Sequence, residues 1–582
     1  MNVPTWECPH VKGFLLLAGL KNHRLGWSRW LLVLAFMGIA WQLYNIQVGP
    51  GAVLAVQARQ MNVEEVLLEE YARGQITDRN GIPLTGVYTA NGVVVFPQLM
   101  DDPQQDTKTL ARILNINPDL LTDKAIDGAY RLTAPLKTAQ LQNLQAANLP
   151  GVFLLPVSYR YGTDTLAAHV TGHLGKIDSN EQLKQLRSDS GKHYDLGDWV
   201  GKTGLEYFYE AQLKGQQPKE LAYLNLDARG RIIRGPGLTV ETTRSDPSRR
   251  NVVTTIDNHV QQIVEDVMDA QVDSGAVVVM QAGSGEILAM ASRPGFHPAP
   301  RYMEETIKSP AGDVFMDRNI ALFQPGSVFK VVLAAAALET GLVNNSAKFF
   351  CAGSAAEPIH CWYEQGHGEI TFPEAFANSC NPFFVHLGEL LGAEQIINYA
   401  EALGLADQTI TGYPVKQAQQ DLSPIGSAFN LSNSSIGQGP VLVTPVQLAA
   451  MINTIASGGI YFTPRLVTGL SDDKDHIMDY IAGPEPRRAL QTDTAKQLQE
   501  LMRLTTTSGA GKKADLPVWG SAGKTGSAEV AGEEDTVNAW FAGYAPANNP
   551  RYVIVVLAEK GHSGGETAAP VFRAIAEQLL QP

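Results

Sequence analysis

Hydrophobic and polar positions divide the chain into stretches of different texture. Between Arg29 and Arg59 there is no Asp, Glu, Lys or Arg, and within that gap Trp30 to Val48 is largely apolar. About 20 such residues cross a bilayer core as a helix, so 29–48 is expected to span a membrane once. Trp27, Trp30, Trp41 and Tyr44 suit the interfacial aromatic belts. Lys12, Lys21, Arg24 and Arg29, opposed only by Glu7, are expected to keep 1–28 as a cytoplasmic stub. No A-x-A site follows the span, which favours a retained anchor over a cleaved signal. Gln42, Asn45 and Gln47 weaken its last turn, as a buried core helix would also tolerate.

Residues 49–250 mix helical and strand patterns and are expected to form an elongated membrane-proximal domain. It opens with a predicted helix, Gln57 to Tyr71. The sequence Arg73-Gly-Gln-Ile-Thr-Asp-Arg-Asn80-Gly81 then places Asn-Gly, which accepts positive φ, where a hairpin turn is expected. Asp246-Pro-Ser-Arg-Arg250 reads as a polar linker. Beyond it, Val252 to Ile256 reads as a strand and Asn258 to Ala270 as a helix. Gly275 to Met280, Gly283-Ser-Gly285 and Glu286 to Met290 give a hairpin. Val537 to Tyr544 and Tyr552 to Ala558 read as two further strands, and Glu566 to Leu580 as a closing helix. A sheet built from both ends of 251–582, with helices between, is an α+β domain: an antiparallel sheet flanked by helices.

Composition sharpens this division. The 582 residues carry 45 Lys+Arg against 59 Asp+Glu, more chain than one core accommodates. The net charge of −14 argues against a nucleic-acid surface, which needs a basic face. All of the excess acidity lies beyond the apolar span, so an acidic, extracytoplasmic body on a basic inner stub is expected.

Three short motifs carry candidate chemistry. In Gln324-Pro-Gly-Ser327-Val-Phe-Lys330, the serine and lysine are three apart at the start of a predicted helix, Val328 to Thr340, stopped by Gly341. A hydroxyl needs an adjacent base to become a nucleophile. Lysine can serve only when neutral, and holding it so at pH 7 against an ordinary value near 10.4 takes about 4.6 kcal/mol of desolvation and cationic neighbours. Asn378-Ser379-Cys380-Asn381 can bring Ser379 and Asn381 to one site only from a turn. Lys524-Thr525-Gly526-Ser527 reads as a strand whose alternation puts two hydroxyls on one side, suited to a carboxylate. Gly526 permits close approach and Lys524 supplies positive charge.

Singly these are weak. Ser471-Asp-Asp-Lys474 and Ser521-Ala-Gly-Lys524 repeat the first motif, and Lys202-Thr-Gly204 the third. Neither Gly-Lys-Thr is a P-loop, since Leu196 and Val518 stand where its first glycine is required. Jointly, serine–lysine, Ser-x-Asn about fifty residues on, and Lys-Thr-Gly after about 145 more match the penicillin-recognising acyl-serine transferases.

The chain resembles one group of these, the class B penicillin-binding proteins, over nearly its whole length. The likeness includes the anchor, the Arg73 to Gly81 segment, Gly204-Leu-Glu206, Ser434-Ser-Ile-Gly-Gln-Gly439 with Thr444-Pro445, and Trp540-Phe-x-Gly-Tyr544. Ser527 departs from it, since the family often has threonine there, but the hydroxyl is retained. The resemblance implies a penicillin-binding transpeptidase domain at 251–582 that cross-links peptidoglycan stem peptides, is inhibited by β-lactams, and needs no cofactor for catalysis. It implies Ser327 as nucleophile, Lys330 as its base and Ser379 as proton relay. Asn381, Lys524, Thr525, Gly526 and Ser527 would bind substrate, and the N–H groups of Ser327 and Ser527 would form the oxyanion hole. A membrane-embedded glycan polymerase is the implied partner of 49–250. A D,D-carboxypeptidase or β-lactamase shares the motifs, and a β-lactam sensor or non-catalytic scaffold is the alternative of another class.

Cys351, Cys361, His367 and Cys380 form a second constellation. Three thiols and an imidazole suit tetrahedral Zn²⁺ in a structural role, and elongation-type members of the family carry a metal at similar places. A Cys351–Cys361 disulfide and free thiols are the other readings. Cys8, on the cytoplasmic stub, is read as incidental.

Overall fold

The structure is a computed structural model of the chain. It describes all residues except 1–10, 49–62, 70, 127, 133–134, 218–219, 226–237, 243–245, 309–312, 416–418, 428–429, 531–535 and 582, and omits the side chains of 11–26, 46–48 and 63. Most of the predicted stub and Cys8 therefore lie outside the described residues or side chains.

Helix α1, Val11–Val48, runs through the predicted span, and its side chains from 27 to 45 are all exposed. Among the described residues no helix is long and apolar enough to cross a membrane. Ser28, Arg29 and Gln42 dilute the part of α1 whose side chains are described.

The chain divides into two compact units that do not follow chain order: 1–68, 91–155 and 220–242 form one, and 69–90, 156–219 and 243–582 the other. The 49–250 stretch thus contributes to both. In the first unit, Val63–Leu67 is a strand, not the predicted helix. It pairs antiparallel with Glu220–Asn225, which in turn pairs with Leu238–Thr242. The apolar spacing around Val66 and Leu68 fits either period, and the partner that decides it lies over 150 residues away. A separate core gathers Val93, Val95, Leu110, Leu114, Tyr130 and Leu144.

In the second unit, the Arg73 to Gly81 segment is built into the fold. Ile76–Thr77 pairs in parallel with Asn251–Thr254. Asp78 Oδ1 accepts the N–H groups of Asn80 and Ile82, both at 2.8 Å, and Gly81 takes φ +86°, so the predicted tight turn forms. The fully buried Glu206 carboxylate meets Arg73 at 2.9 Å, Arg160 at 2.6 Å and the Tyr161 hydroxyl at 2.9 Å. Burial alone would push that carboxyl up; Arg160 and Arg73 override it and hold it below its ordinary value. Arg73-Gly and Gly-Leu-Glu206, far apart in sequence, are therefore two halves of one buried ion cluster.

The unit's main sheet has strands β1 (Gly275–Gln281), β2 (Ile287–Arg293), β3 (Ala522–Glu529), β4 (Val537–Ala545) and β5 (Tyr552–Gly561), in the order β2-β1-β5-β4-β3. Every pairing is antiparallel. Alternate residues enter two cores. Val277, Val279, Phe541, Ile554 and Val556 face α2 (Asn258–Gln271) and the closing helix α8 (Ala569–Leu580). Val278, Met280, Trp540, Val553 and Val555 belong to the core of α3 (Lys330–Glu339), α4 (Phe372–Ala377), α5 (Asn381–Ala402), α6 (Pro445–Ala456) and α7 (Thr492–Thr507). Burial on both faces explains the unbroken apolar run in β1. Asp257 caps α2 by accepting the N–H groups of His259 and Val260. Lys330 through Ala337 of α3 are all buried, and its four alanines let neighbouring helices close on every side. Gly392, at φ +73°, breaks α5 into two helices.

Candidate active site

Pro325 leads into a 3₁₀ turn, Gly326–Phe329, that hands over to α3. Two glycines let this turn touch β3. A Cβ on Gly326, which has φ +53°, would stand 2.7 Å from the Ser527 carbonyl oxygen, and one on Gly526 would stand 2.6 Å from that of Pro325. Ser327 is thereby held beside the strand that carries Thr525 and Ser527. The three residues, with Ser379, Asn381 and Gly526, line one cavity of about 800 Å³.

Lys330 lies beneath the cavity, fully buried. Its Nζ donates to the Ser379 carbonyl at 2.9 Å, the Ser379 hydroxyl at 3.3 Å and Asn381 Oδ1 at 2.7 Å. Lys524 is equally buried, and its Nζ donates to the same Ser379 hydroxyl at 2.9 Å and to the Thr525 carbonyl at 3.0 Å. One hydroxyl thus sits between two ammonium groups. Burial pulls Lys330 down to about 7, although the Cys380 and Cys361 thiols oppose it. Burial, then the charge of Lys330, pulls Lys524 well below its ordinary value. The faces of Phe384, at 5.4 Å from Lys330, and Phe376, at 5.8 Å from Lys524, return part of the lost solvation. Two desolvated cations around one hydroxyl do not both persist at neutral pH, which gives the site a base. The Ser327 hydroxyl makes no hydrogen bond among the described residues, and its bond to the base is of the kind that tightens on substrate binding.

The predicted turn is present. Ser379 joins α4 to α5 in the left-handed region, φ +58°, an uncommon conformation for a residue with a Cβ. Asn381 begins α5, so residues two apart both reach the cavity. On β3, Thr525 and Ser527 share the cavity side as predicted, and Ser527 Oγ accepts the Gly564 N–H at 3.1 Å. Lys474 of the first decoy is exposed, and Ser471 is buried in a strand. Ser521 of the second donates its hydroxyl to the Ala514 carbonyl at 2.7 Å.

Some wall residues had no motif to reveal them. Trp362, 59% exposed, donates its indole N–H to the Asn378 carbonyl at 3.0 Å, just before Ser379. An aromatic directly after Cys361 was its only signal. Glu529 and Glu566 also line the cavity. Gln438 and Gly439 do too, and Gln324 donates to the Gly439 carbonyl at 2.8 Å, which explains why that glycine-rich segment accompanies the nucleophile.

Cys351, Cys361, His367 and Cys380 converge, their ligand atoms all within 4.8 Å of one another. Cys361 Sγ is 3.5 Å from His367 Nδ1. All three cysteines are free, so the disulfide reading is not the one this structure adopts. The hydrogen bond with Cys380 lowers the Cys361 thiol against the pull of burial, and raises that of Cys380.

The model of the penicillin-binding protein transpeptidase domain matches residues 275–577, and that of the penicillin-binding protein dimerisation domain matches 69–243. Stage V sporulation protein D of Bacillus subtilis is 29% identical, the match covering 94% of this chain and 84% of that protein. The peptidoglycan D,D-transpeptidase MrdA of Salmonella typhimurium is 25% identical, over 95% of each. Among solved structures, a chain of a peptidoglycan synthase complex that coordinates polymerization and crosslinking has the same fold, with TM-score 0.69 and 23% identity over 96% of this chain and 99% of that one. With both family models matched in order and the motifs gathered around one cavity, the chain belongs to the class B penicillin-binding proteins.

Proposed function

We propose that the chain is a peptidoglycan D,D-transpeptidase that works through a Ser327 acyl-enzyme. The observation that carries this is the Ser379 hydroxyl held between two buried lysines on the wall shared with Ser327. Neutral Lys330 takes the Ser327 proton as Oγ bonds to the penultimate D-alanine carbonyl carbon. The N–H groups of Ser327 and Ser527 hold the oxyanion, and Asn381 binds the backbone amide of the donor. Thr525 and Ser527 hydrogen-bond the terminal carboxylate, and Lys524 supplies positive potential there. The C–N bond breaks as Ser379 relays a proton to the departing D-alanine. An amine on a neighbouring stem then attacks the ester, forming the cross-link and returning the proton to Ser327. A β-lactam acylates the same oxygen, so covalent capture of Ser327 by a labelled penicillin tests the reading.

The Cys/His cluster fits a structural Zn²⁺. Zn–S bonds of about 2.3 Å place tetrahedral sulfurs about 3.8 Å apart, a spacing the four donor atoms accommodate within their 4.8 Å limit. The set would leave no open position for catalysis. Because Cys380 lies between Ser379 and Asn381, a metal held there would pin the turn that both occupy. Purified protein is expected to contain one zinc per chain and to expose its three outer thiols only after chelation. Metal-free protein whose thiols react freely would overturn this.

The exposed apolar run of α1 supports a membrane anchor with an extracytoplasmic catalytic unit, and the structural neighbour from a peptidoglycan synthase complex supports a glycan polymerase as partner. Full-length protein is expected to require detergent for extraction and to bring a polymerase with it. Deletion of 1–48 should release the chain into the soluble fraction; release of the intact chain by salt alone would argue against an anchor.

A further inference from the structure

The cavity is bipolar along a single strand. At one end Thr525 and Ser527 present hydroxyls with Lys524 beneath them, a setting for a carboxylate. Two residues beyond Ser527 on the same strand, Glu529 lines the same cavity and is exposed. The other acidic group on the wall, Glu566, is paired with Lys513. Glu529 has no ion-pair or hydrogen-bond partner for its carboxylate among the described residues. Among the described residues, one negative charge in the cavity is thus left without a counter-charge.

Strand geometry says which part of a ligand meets it. β3 is the end strand of its sheet, and among the described residues no strand pairs with its outer side, where a peptide can add as a further strand. A peptide whose terminal carboxylate is held at Thr525 and Ser527 runs antiparallel to β3, its earlier residues stepping toward Glu529. Strand residues rise about 3.3 Å each, so Glu529 lies roughly 6.7 Å beyond Ser527. That spacing brings it beside the side chain that precedes the D-Ala–D-Ala pair, and a carboxylate there selects a cation.

We propose that Glu529 is a specificity-determining residue that recognises a primary ammonium on the stem-peptide side chain preceding D-Ala–D-Ala. This rests on the transpeptidase reading and adds to it the charge of the donor. The preferred substrate sits in the cavity with its carboxylate at one end and its ammonium at the other, matching Lys524 and Glu529.

The test uses two penicillins that differ only at the end of the acyl side chain, one carrying a primary ammonium and the other its N-acetylated twin. Second-order rates of Ser327 acylation are measured on the full-length protein and on Glu529→Gln and Glu529→Lys. Both drugs carry the same ring carboxylate, so any general effect of the substitution on anionic ligands cancels in the ratio of rates. Wild type is expected to favour the ammonium form by about three- to fivefold, as befits a solvent-exposed pair. Glu529→Gln should bring the ratio to about one, Glu529→Lys should invert it, and added salt should shrink the wild-type preference. Equal ratios in all three proteins would overturn the inference alone. Failure of both penicillins to label wild type would overturn the transpeptidase reading and this inference with it.

Discussion

Ser327→Ala is expected to abolish covalent capture of the protein by a fluorescent penicillin while leaving its melting temperature close to that of wild type. The hydroxyl is only half buried and makes no hydrogen bond among the described residues, so its removal neither empties the core nor strands a partner. Gly326, Gly526 and the 3₁₀ turn stay in place, and with them the cavity. What disappears is the single oxygen that can form the ester. Mass spectrometry of intact wild type after penicillin should show one adduct on the peptide containing Ser327, and none in the variant. An adduct that survives in Ser327→Ala would move the nucleophile elsewhere.

The second large effect concerns Lys330. Burial pulls its ammonium down to about 7, outweighing the opposing charge of the Cys380 and Cys361 sulfurs. The neutral form is the competent base, so acylation should fall about tenfold per pH unit below neutrality and level off above it. Lys330→Gln removes the base, and acylation should drop by about 10²- to 10⁴-fold with loss of that slope. Both halves matter. A slow variant that keeps the wild-type pH profile would show that another group accepts the Ser327 proton, with Lys524, which shares the Ser379 hydroxyl, the first alternative. Lys330→Gln leaves Asn381 and Ser379 a polar partner, so a loss of rate without a matching loss of fold is the expected combination.

Much of the site was legible because its chemistry is local in sequence. Ser327 and Lys330 lie one turn apart, and Thr525 and Ser527 alternate on a strand, so spacing alone put each pair on a common side. The turn at Ser379 was legible too, since residues two apart cannot converge from a helix. The sharing of the Ser379 hydroxyl by two lysines was not. Lys524 reaches it from 145 residues away, and no local period reports a contact made by tertiary packing. Ser379 adopts φ +58° although serine has little preference for that region; the packing of α4 against α5 decides it. The fold shows the same boundary. Strands buried on both faces and the capped helix α2 were readable from apolar runs and turn residues. Val63–Leu67 was not, because a short apolar segment takes its structure from a remote partner. Trp362 and Glu529 belong to no motif, and only the cavity reveals that they share its wall.

Helix α3 has a consequence for how this chain can vary. Lys330 is enclosed on all sides by the same residues that hold the domain together, so the floor of the reaction and the centre of the core are one set of atoms. A substitution there that changed size or shape, unlike the near-isosteric Lys330→Gln, would also disturb the packing of α3. The cavity's rim is different: Glu529 and Trp362 face solvent, and their replacement leaves the core intact. Divergence in what this enzyme accepts, whether peptide or drug, is therefore channelled to the rim, while the floor stays fixed by the combined demands of catalysis and packing.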